Sequence, residues 1–197
     1  MRALLALLPL PLAALLLCGC AAAPRQAAPS AAPPAWLSEP AIWSIRQVVL
    51  IELGDMQFPV QGLVELDTAA GTVRLAALDD FGVTLFRLTI TRAGERVDFL
   101  LPLVPQGAEV TRSVAASLRR IYLEPGAAIA GGGGLAFEAA ADGTTASAGP
   151  PGSSAWKVWY ADYADAGGAA VPRLIRYRER GGVSLKITQG SVRRVER

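Results

Sequence analysis

Few side chains in this chain of 197 residues could perform catalysis, because the sequence contains no histidine. A Ser-His-Asp triad and a Cys-His pair are therefore excluded. A zinc site would have to rely on carboxylates alone, because the two cysteines, Cys18 and Cys20, lie together near the start of the chain. The remaining chemistry is that of carboxylates or of a Ser-Lys pair, and we expect neither a metal nor a cofactor.

The two constellations that remain have simpler explanations. Asp79 and Asp80 form an adjacent acid pair between two alternating apolar runs, where the polar tip of a hairpin is the alternative to a catalytic dyad. Ser184 and Lys186 would share the outer face of a strand, and alternation accounts for their spacing without catalysis. The sequence therefore favours a protein that is not an enzyme, with a carboxylate enzyme as the remaining catalytic hypothesis.

The segment that opens the chain has the layout of a secretory signal. Met1-Arg2 precedes an apolar run over residues 3–17, and the run closes with Leu17-Cys18-Gly19-Cys20. This stretch resembles a bacterial lipobox, which implies a signal peptide over residues 1–19 and acylation, including palmitate, at Cys20. The alternatives are an ordinary signal peptide and an uncleaved membrane helix. A membrane helix would need about 20 consecutive apolar residues, and prolines interrupt this run.

The residues after the cysteine predict a cellular location and an extended tether. Ala21 follows Cys20 where the inner-membrane retention signal of enteric lipoproteins has Asp. By analogy with that rule, we expect a lipid-anchored, periplasm-facing protein of the outer membrane. Residues 20–44 are rich in Ala and Pro and predict an extended tether. Trp36 and Trp43 could dock onto the domain or rest at the lipid interface, and we favour docking.

Alternating apolar and polar residues predict a single domain over residues 45–197 that begins with a meander of strands. Five alternating segments follow one another with turns of a few residues, and Gln47 is an exception in the first of them. The segments cover residues 45–53, 57–67, 72–78, 83–91 and 97–103.

The period then changes to that of a helix. Apolar residues from Val110 to Tyr122 recur at helical spacing, and Glu124-Pro125-Gly126 ends the pattern. Residues 126–154 predict a flexible Gly/Ala-rich loop with a short hairpin near 135–138. Its four glycines, residues 131–134, lack the Lys-Ser or Lys-Thr of a phosphate-binding loop. Further strands are predicted at 156–161, 173–178 and 182–188, with a last short one from Val192.

This order of elements predicts an α+β fold, in which a curved antiparallel sheet forms an open, incomplete β-barrel packed against one or a few helices. The space between sheet and helix would form either an apolar ligand cavity or a filled core, because both need the same residue types. The candidate cavity residues are Val49, Ile51, Phe58, Val64, Leu75, Phe86, Leu88, Ile90, Leu118 and Ile121.

Four short motifs carry a family resemblance. They cover residues 61–67, 81–88, 174–177 and 183–187. In this order they resemble the lipoprotein carriers and receptors of Gram-negative bacteria (LolA/LolB-like), and more closely a family of small uncharacterised outer-membrane lipoproteins thought to share that fold. The resemblance implies an open barrel, acyl chains bound between sheet and helices, and an exposed apolar loop residue that acts at the membrane.

Basic residues are concentrated near the end of the chain. The formal net charge is only +2, which gives no reason to expect a nucleic-acid partner. The concentration predicts either a solvated sheet face or a basic patch for anionic lipid head groups or an acidic polymer. The candidate patch residues are Arg173, Arg176, Arg178, Arg180 and Lys186.

Two functional hypotheses of different classes follow. The first is a non-enzymatic, membrane-anchored lipoprotein that binds a lipid or an acylated protein in an apolar cavity, in envelope lipid or lipoprotein trafficking. The second is a structural or assembly lipoprotein of an envelope complex, which contacts a protein partner through its basic C-terminal surface.

Overall fold

The computed structural model describes residues 34–125, 135–140, 143–148 and 155–196. The predicted signal peptide, the lipidation site Cys20, residues 20–33 of the tether and the glycines 131–134 lie outside the described residues. The interpretations placed on them therefore stay predictions.

Ten strands and one long helical segment make up the described chain. The first strands are β1 (Ile42–Leu53), β2 (Met56–Asp67), β3 (Thr72–Leu78), β4 (Thr84–Thr91) and β5 (Glu95–Leu100). Helix α1 (Gly107–Leu118) follows and continues as a π-helical turn over Arg119–Leu123. The last strands are β6 (Leu135–Ala140), β7 (Gly143–Ala148), β8 (Trp156–Ala166), β9 (Ala169–Glu179) and β10 (Ser184–Val195).

All ten strands form one antiparallel sheet in the order β5-β4-β3-β2-β1-β10-β9-β8-β7-β6. Each half is a meander, and the halves join in the middle where β1 pairs with β10. The sheet does not close, because β5 and β6 are its two edges. The predicted fold class, an α+β curved open sheet with one helix, is confirmed.

Alternation in the sequence decides which face of the sheet is buried. In β4, Phe86, Leu88 and Ile90 are buried, while Arg87 between them is exposed. Because successive strand side chains point to opposite faces, one face becomes the core and the other, here called the outer face, meets solvent. Most of the core forms on the helix side of the sheet.

The helix covers part of the buried face. Val110, Val114 and Leu118 are buried, as their spacing predicted, and α1 packs against β4 and β5. The π-helical turn buries three consecutive side chains, Ile121, Tyr122 and Leu123, and its backbone lies closest to β3 and β4. No helix among the described residues is long and apolar enough to cross a membrane.

Packed structure begins earlier than the predicted domain start at residue 45. Strand β1 begins at Ile42, and the short 3₁₀ turn Ala35–Leu37 places Trp36 in the core. Trp36 meets Trp43 edge-on with ring centroids 6.0 Å apart, and meets Tyr122 in the same way at 6.0 Å. The docking of both tryptophans onto the domain is confirmed, so residues 34–44 of the predicted tether belong to the folded body.

Two further differences come from weak sequence signals. Strands β6 and β7 are longer than the short hairpin expected within the loop 126–154, and β7 pairs with β8 through Ala146 and Val158. Their residues are small and differ little in hydrophobicity between the two faces of the strands. The two strands are therefore recognised by the pairing of β7 with β8 and not by an alternating sequence. The separate strand expected from Val192 is the end of β10, which continues past an irregularity in its pairing with β1.

Candidate functional site

An apolar cleft of about 530 Å³ opens at the end of the sheet where α1 begins. On one side is the start of β2, whose residues 56–60 extend beyond β3 because pairing between these strands starts at Gln61 and Leu78. On the other side is the connection 101–106, between β5 and α1. The apolar side chains that line the cleft include Met56, Phe58, Pro59, Leu85, Leu101 and Leu103.

The rim of this cleft presents apolar side chains to solvent. Leu103 is 83% exposed although it belongs to the lining. The connection is tied to the sheet at its start, where the N–H of Leu101 donates to the carbonyl of Leu85 at 2.8 Å. A large apolar side chain held in water at the mouth of an apolar cleft suits contact with an apolar ligand.

Phe81 is a second exposed apolar residue at the same end of the sheet, and 94% of it is accessible. It stands in the turn between β3 and β4, which Asp79 stabilises: one carboxylate oxygen accepts from the N–H of Phe81 at 2.9 Å and of Val83 at 2.8 Å. The interpretation of Asp79 and Asp80 as a hairpin tip is confirmed.

Within the described ranges no group of three acidic, Cys or His side chains could hold a metal ion.

The ten predicted cavity residues lie together on the helix side of the sheet. Nine of them are buried in one continuous core, and Phe58 is partly buried and packs against it. Phe58 is also the member of the set that lines the cleft. The structure therefore brings the predicted residues together in the core against which Phe58 packs, and their contact with a ligand stays a prediction.

Sequence reasoning missed the lining from Leu101 to Pro105, because it extended a strand to residue 103. The sequence did contain evidence against a strand there, in the segment Leu100-Leu101-Pro102-Leu103-Val104-Pro105. It is apolar but does not alternate, and prolines cannot donate to a sheet. Such a run is poorly suited to a strand, and in the structure it passes over the end of the sheet.

A polar group lies inside the apolar core. Gln47 and Gln189 are paired across β1 and β10, and both are buried. The hydroxyl of Tyr122 donates to Gln47 Oε1 at 2.9 Å and accepts from Gln189 Nε2 at 3.4 Å. Gly62 is opposite Gln47, and a Cβ there would come within 2.9 Å of Gln47 Cγ. The break that Gln47 makes in the alternation of β1 thus marks the place where the helical segment is hydrogen-bonded to the sheet.

Burial changes the acidity of the tyrosines in this core. Tyr160 donates its hydroxyl proton to the carbonyl of Ile121 at 2.6 Å. Burial raises the pKa of Tyr122 and of Tyr160 above the ordinary 10.0. Burial also raises the pKa of Tyr177, to about 12. In each case the neutral phenol is favoured because the apolar surroundings penalise a phenolate.

We expect the fold to be stable up to about pH 10 and to lose stability between pH 10 and about 12. An unfolded tyrosine ionises near pH 10, whereas folded Tyr177 keeps its proton to about 12. Unfolding therefore releases protons in this window, and rising pH favours the unfolded chain by about 1.4 kcal/mol per pH unit for each such tyrosine. Circular dichroism and tyrosinate absorbance, recorded in one titration, should change together. Ionisation of all tyrosines near pH 10 in a chain that stays folded would contradict this.

Four of the five predicted basic residues lie close together. Arg176 and Lys186 are directly paired on the outer face, Arg178 is two residues further along β9, and Arg180 follows in the turn. Lys157, paired with Arg178, adds a further charge to this cluster. Arg173 lies outside it, beside a separate hollow formed with Asp165 and Ser191.

A different arginine fastens the helical segment to the second meander. Arg120 pairs with Glu179 at 2.7 Å, donates to the Tyr177 hydroxyl and lies over the Trp156 ring at 5.7 Å from its centroid. These side-chain contacts connect the π-helical turn to β8 and β9, while α1 packs against β4 and β5.

Comparisons with known proteins identify structures but no sequence relatives. No protein-family profile and no curated protein matches the chain. Solved structures do match, among them a LolA superfamily protein from Nitrosomonas europaea, with a TM-score of 0.48 and 7% identity over 84% of this chain and 95% of that one.

Two further structures also match. A DUF1329 family protein from Desulfovibrio piger has a TM-score of 0.41 and 8% identity, over 81% of this chain and 88% of that one. A proposed outer membrane lipoprotein-sorting protein domain from Vibrio parahaemolyticus has a TM-score of 0.38 and 7% identity, over 79% and 86%.

Proposed function

We propose that this protein is a non-enzymatic, membrane-anchored lipoprotein that binds a lipid or an acylated protein through the cleft between β2 and the connection 101–106. The observation that carries the proposal is the apolar lining of the cleft together with the exposure of Leu103 at its mouth. A volume of about 530 Å³ falls within the range of about 300–1,000 Å³ that is common for small-molecule sites.

The chemistry of the lining favours an acyl chain. Most of the lining is aliphatic or aromatic and carries no charge. The two polar lining residues, Asp55 and Gln57, both lie at the β1–β2 hairpin. Transfer of an acyl chain from water into such surroundings contributes about 0.8 kcal/mol per CH₂. The chain would enter past Phe58, which is paired with the predicted cavity residue Ile51 and packs against the core.

Acylation at Cys20 and the tether after it would keep the cleft near a membrane. The proposed location is the periplasmic side of the outer membrane, and the proposed role is in envelope lipid or lipoprotein trafficking. In this proposal the body does no covalent chemistry, and function depends on apolar contact and on the position that the anchor gives it.

Aspartate at Leu103 should weaken binding of a fluorescent long-chain fatty acid by about 10- to 100-fold. This corresponds to losing the burial of one leucine side chain, about 1.5–3 kcal/mol, before any cost of placing a charge beside the ligand. The fold should survive, because Leu103 is 83% exposed. Fluorescence titration measures the affinity.

The matched control is Phe81→Asp, which puts the same charge on another exposed apolar residue at this end of the sheet. It should bind the fatty acid as the parent protein does, because Phe81 is not part of the lining. Equal affinities in parent and Leu103→Asp would exclude the cleft as the binding site.

The second candidate function is a structural or assembly lipoprotein, and the basic cluster around Arg176 and Lys186 favours it. These residues are exposed and face outward, away from the helix. Cross-linking from position 176 in cells should then capture one envelope protein repeatedly, and the Leu103→Asp variant should leave that capture unchanged.

A further inference from the structure

A groove of about 650 Å³ crosses the outer face of the sheet, on the side opposite the cleft's interior and the helix. Six adjacent strands, from β10 through β1 to β5, contribute to it. The register places one continuous row of side chains across it: Arg193, Ser44, Glu65, Arg74, Thr89 and Arg96. Neighbouring strands are about 4.8 Å apart, so the row extends over roughly 24 Å.

The lining of the groove has an excess of positive charge. Five arginines line it, against two carboxylates. Both carboxylates are already engaged: Glu65 pairs with Arg74, and Asp98 accepts from Arg96 Nε at 2.6 Å. Asp98 also accepts from the Thr89 hydroxyl at 2.6 Å, and these hydrogen bonds lower its pKa and keep it ionised.

Three of the five arginines form no salt bridge with the carboxylates that the structure describes. Arg46 and Arg193 make no ion pair within the part of the chain that the structure describes, and Arg87 lies over the Phe99 ring at 5.6 Å from its centroid. Guanidinium groups bind phosphate oxygens through two parallel hydrogen bonds. Three such groups on β10, β1 and β4 can therefore receive phosphate groups without first breaking an internal pair.

Apolar side chains among these arginines favour a lipid surface over a soluble polyanion. Leu63 is paired directly with Arg46, lines the groove and is 42% exposed. Val48, two residues from Arg46 on the same face, is 54% exposed. A purely ionic ligand gains nothing from them, whereas a phospholipid offers a phosphate to the arginines and its apolar part to Leu63.

We propose that this groove binds the phosphate head groups of an anionic phospholipid membrane, so that the outer face of the sheet lies on the bilayer surface. The site is distinct from the cleft and does not depend on it, because the two open on different parts of the molecule. It would orient the body on the membrane and leave the helix side free for a ligand.

The test compares two triple variants in the full chain carrying Cys20→Ser, which removes the proposed acylation from both. The first replaces Arg46, Arg87 and Arg193 with Gln. The control makes the same change at Arg92, Arg112 and Arg173, which are exposed and lie outside the groove. Binding is measured by co-sedimentation with vesicles of equal parts phosphatidylglycerol and phosphatidylcholine, and with vesicles of phosphatidylcholine alone.

The groove variant should bind the anionic vesicles about 100-fold more weakly than the parent, because each basic residue near an anionic surface contributes about 1 kcal/mol. The control should bind as the parent does, and vesicles of phosphatidylcholine should not distinguish the variants. Equal weakening in both variants would mean that net charge alone acts, which overturns the proposal.

Leu63→Gln separates a lipid from a soluble ligand. It should weaken binding to anionic vesicles and leave binding of inorganic polyphosphate unchanged. If the parent binds polyphosphate through the three arginines but shows no preference for anionic vesicles, the groove takes a soluble polyanion and the membrane proposal is wrong.

Discussion

Alanine at Trp36 should lower the free energy of unfolding by about 3–5 kcal/mol, as expected for removing a fully buried tryptophan. Trp36 has no exposed surface and packs edge-on against both Trp43 and Tyr122. It therefore joins the segment before β1 to the helical turn. Chemical denaturation followed by tryptophan fluorescence and circular dichroism measures the loss.

Phe81→Ala is the control for that experiment, since it also deletes an aromatic ring but from a side chain that is 94% exposed. Its free energy of unfolding should stay within about 0.5 kcal/mol of the parent. If Trp36→Ala were as stable as Phe81→Ala, residues 34–37 would not belong to the folded body.

Serine at Cys20 should move the protein from the membrane fraction to the soluble fraction of the envelope when cells are fractionated at high salt, which screens ionic contacts with the membrane surface. Each buried CH₂ of an attached acyl chain contributes about 0.8 kcal/mol to membrane binding, so that several chains hold a protein firmly and none leaves only surface contacts. Fractionation of cells and mass spectrometry of the purified protein measure the distribution and the acyl mass.

Cys18→Ser is the matched control, because it makes the same replacement of a thiol by a hydroxyl at the neighbouring cysteine. The lipobox resemblance assigns acylation to Cys20 and not to Cys18, so this variant should remain in the membrane fraction with its full acyl mass. An unacylated parent protein, or equal release of both variants, would refute the anchor.

The strands of the first meander could be predicted from the sequence because most have one buried and one solvent-exposed face, so that apolar and polar residues alternate. Phe86, Leu88 and Ile90 alternate with Arg87 and Thr89, and only one strand orientation buries the apolar set. The open-sheet fold followed from these periods and from the order of elements. Strands β6 and β7 escaped this reasoning because Ala, Gly and Thr give little contrast between faces.

The candidate site was harder to predict than the fold. The candidate cavity residues share one buried face, but the cleft itself depends on where β3 ends and on the path of residues 101–106, and neither follows from alternation. The outer groove was missed for another reason. Its arginines are far apart in sequence, and only the register of β10, β1 and β4 brings Arg193, Arg46 and Arg87 onto one surface.

The pairing of β1 with β10 has a consequence for biogenesis. Ile51 and Leu185 are partners although most of the chain separates them. Closing so long a loop costs conformational entropy before the contacts compensate for it, and such topologies fold slowly. The centre of the sheet cannot be completed until β10 has been synthesised, so β1 lacks one of its two partner strands while β2 to β9 are made.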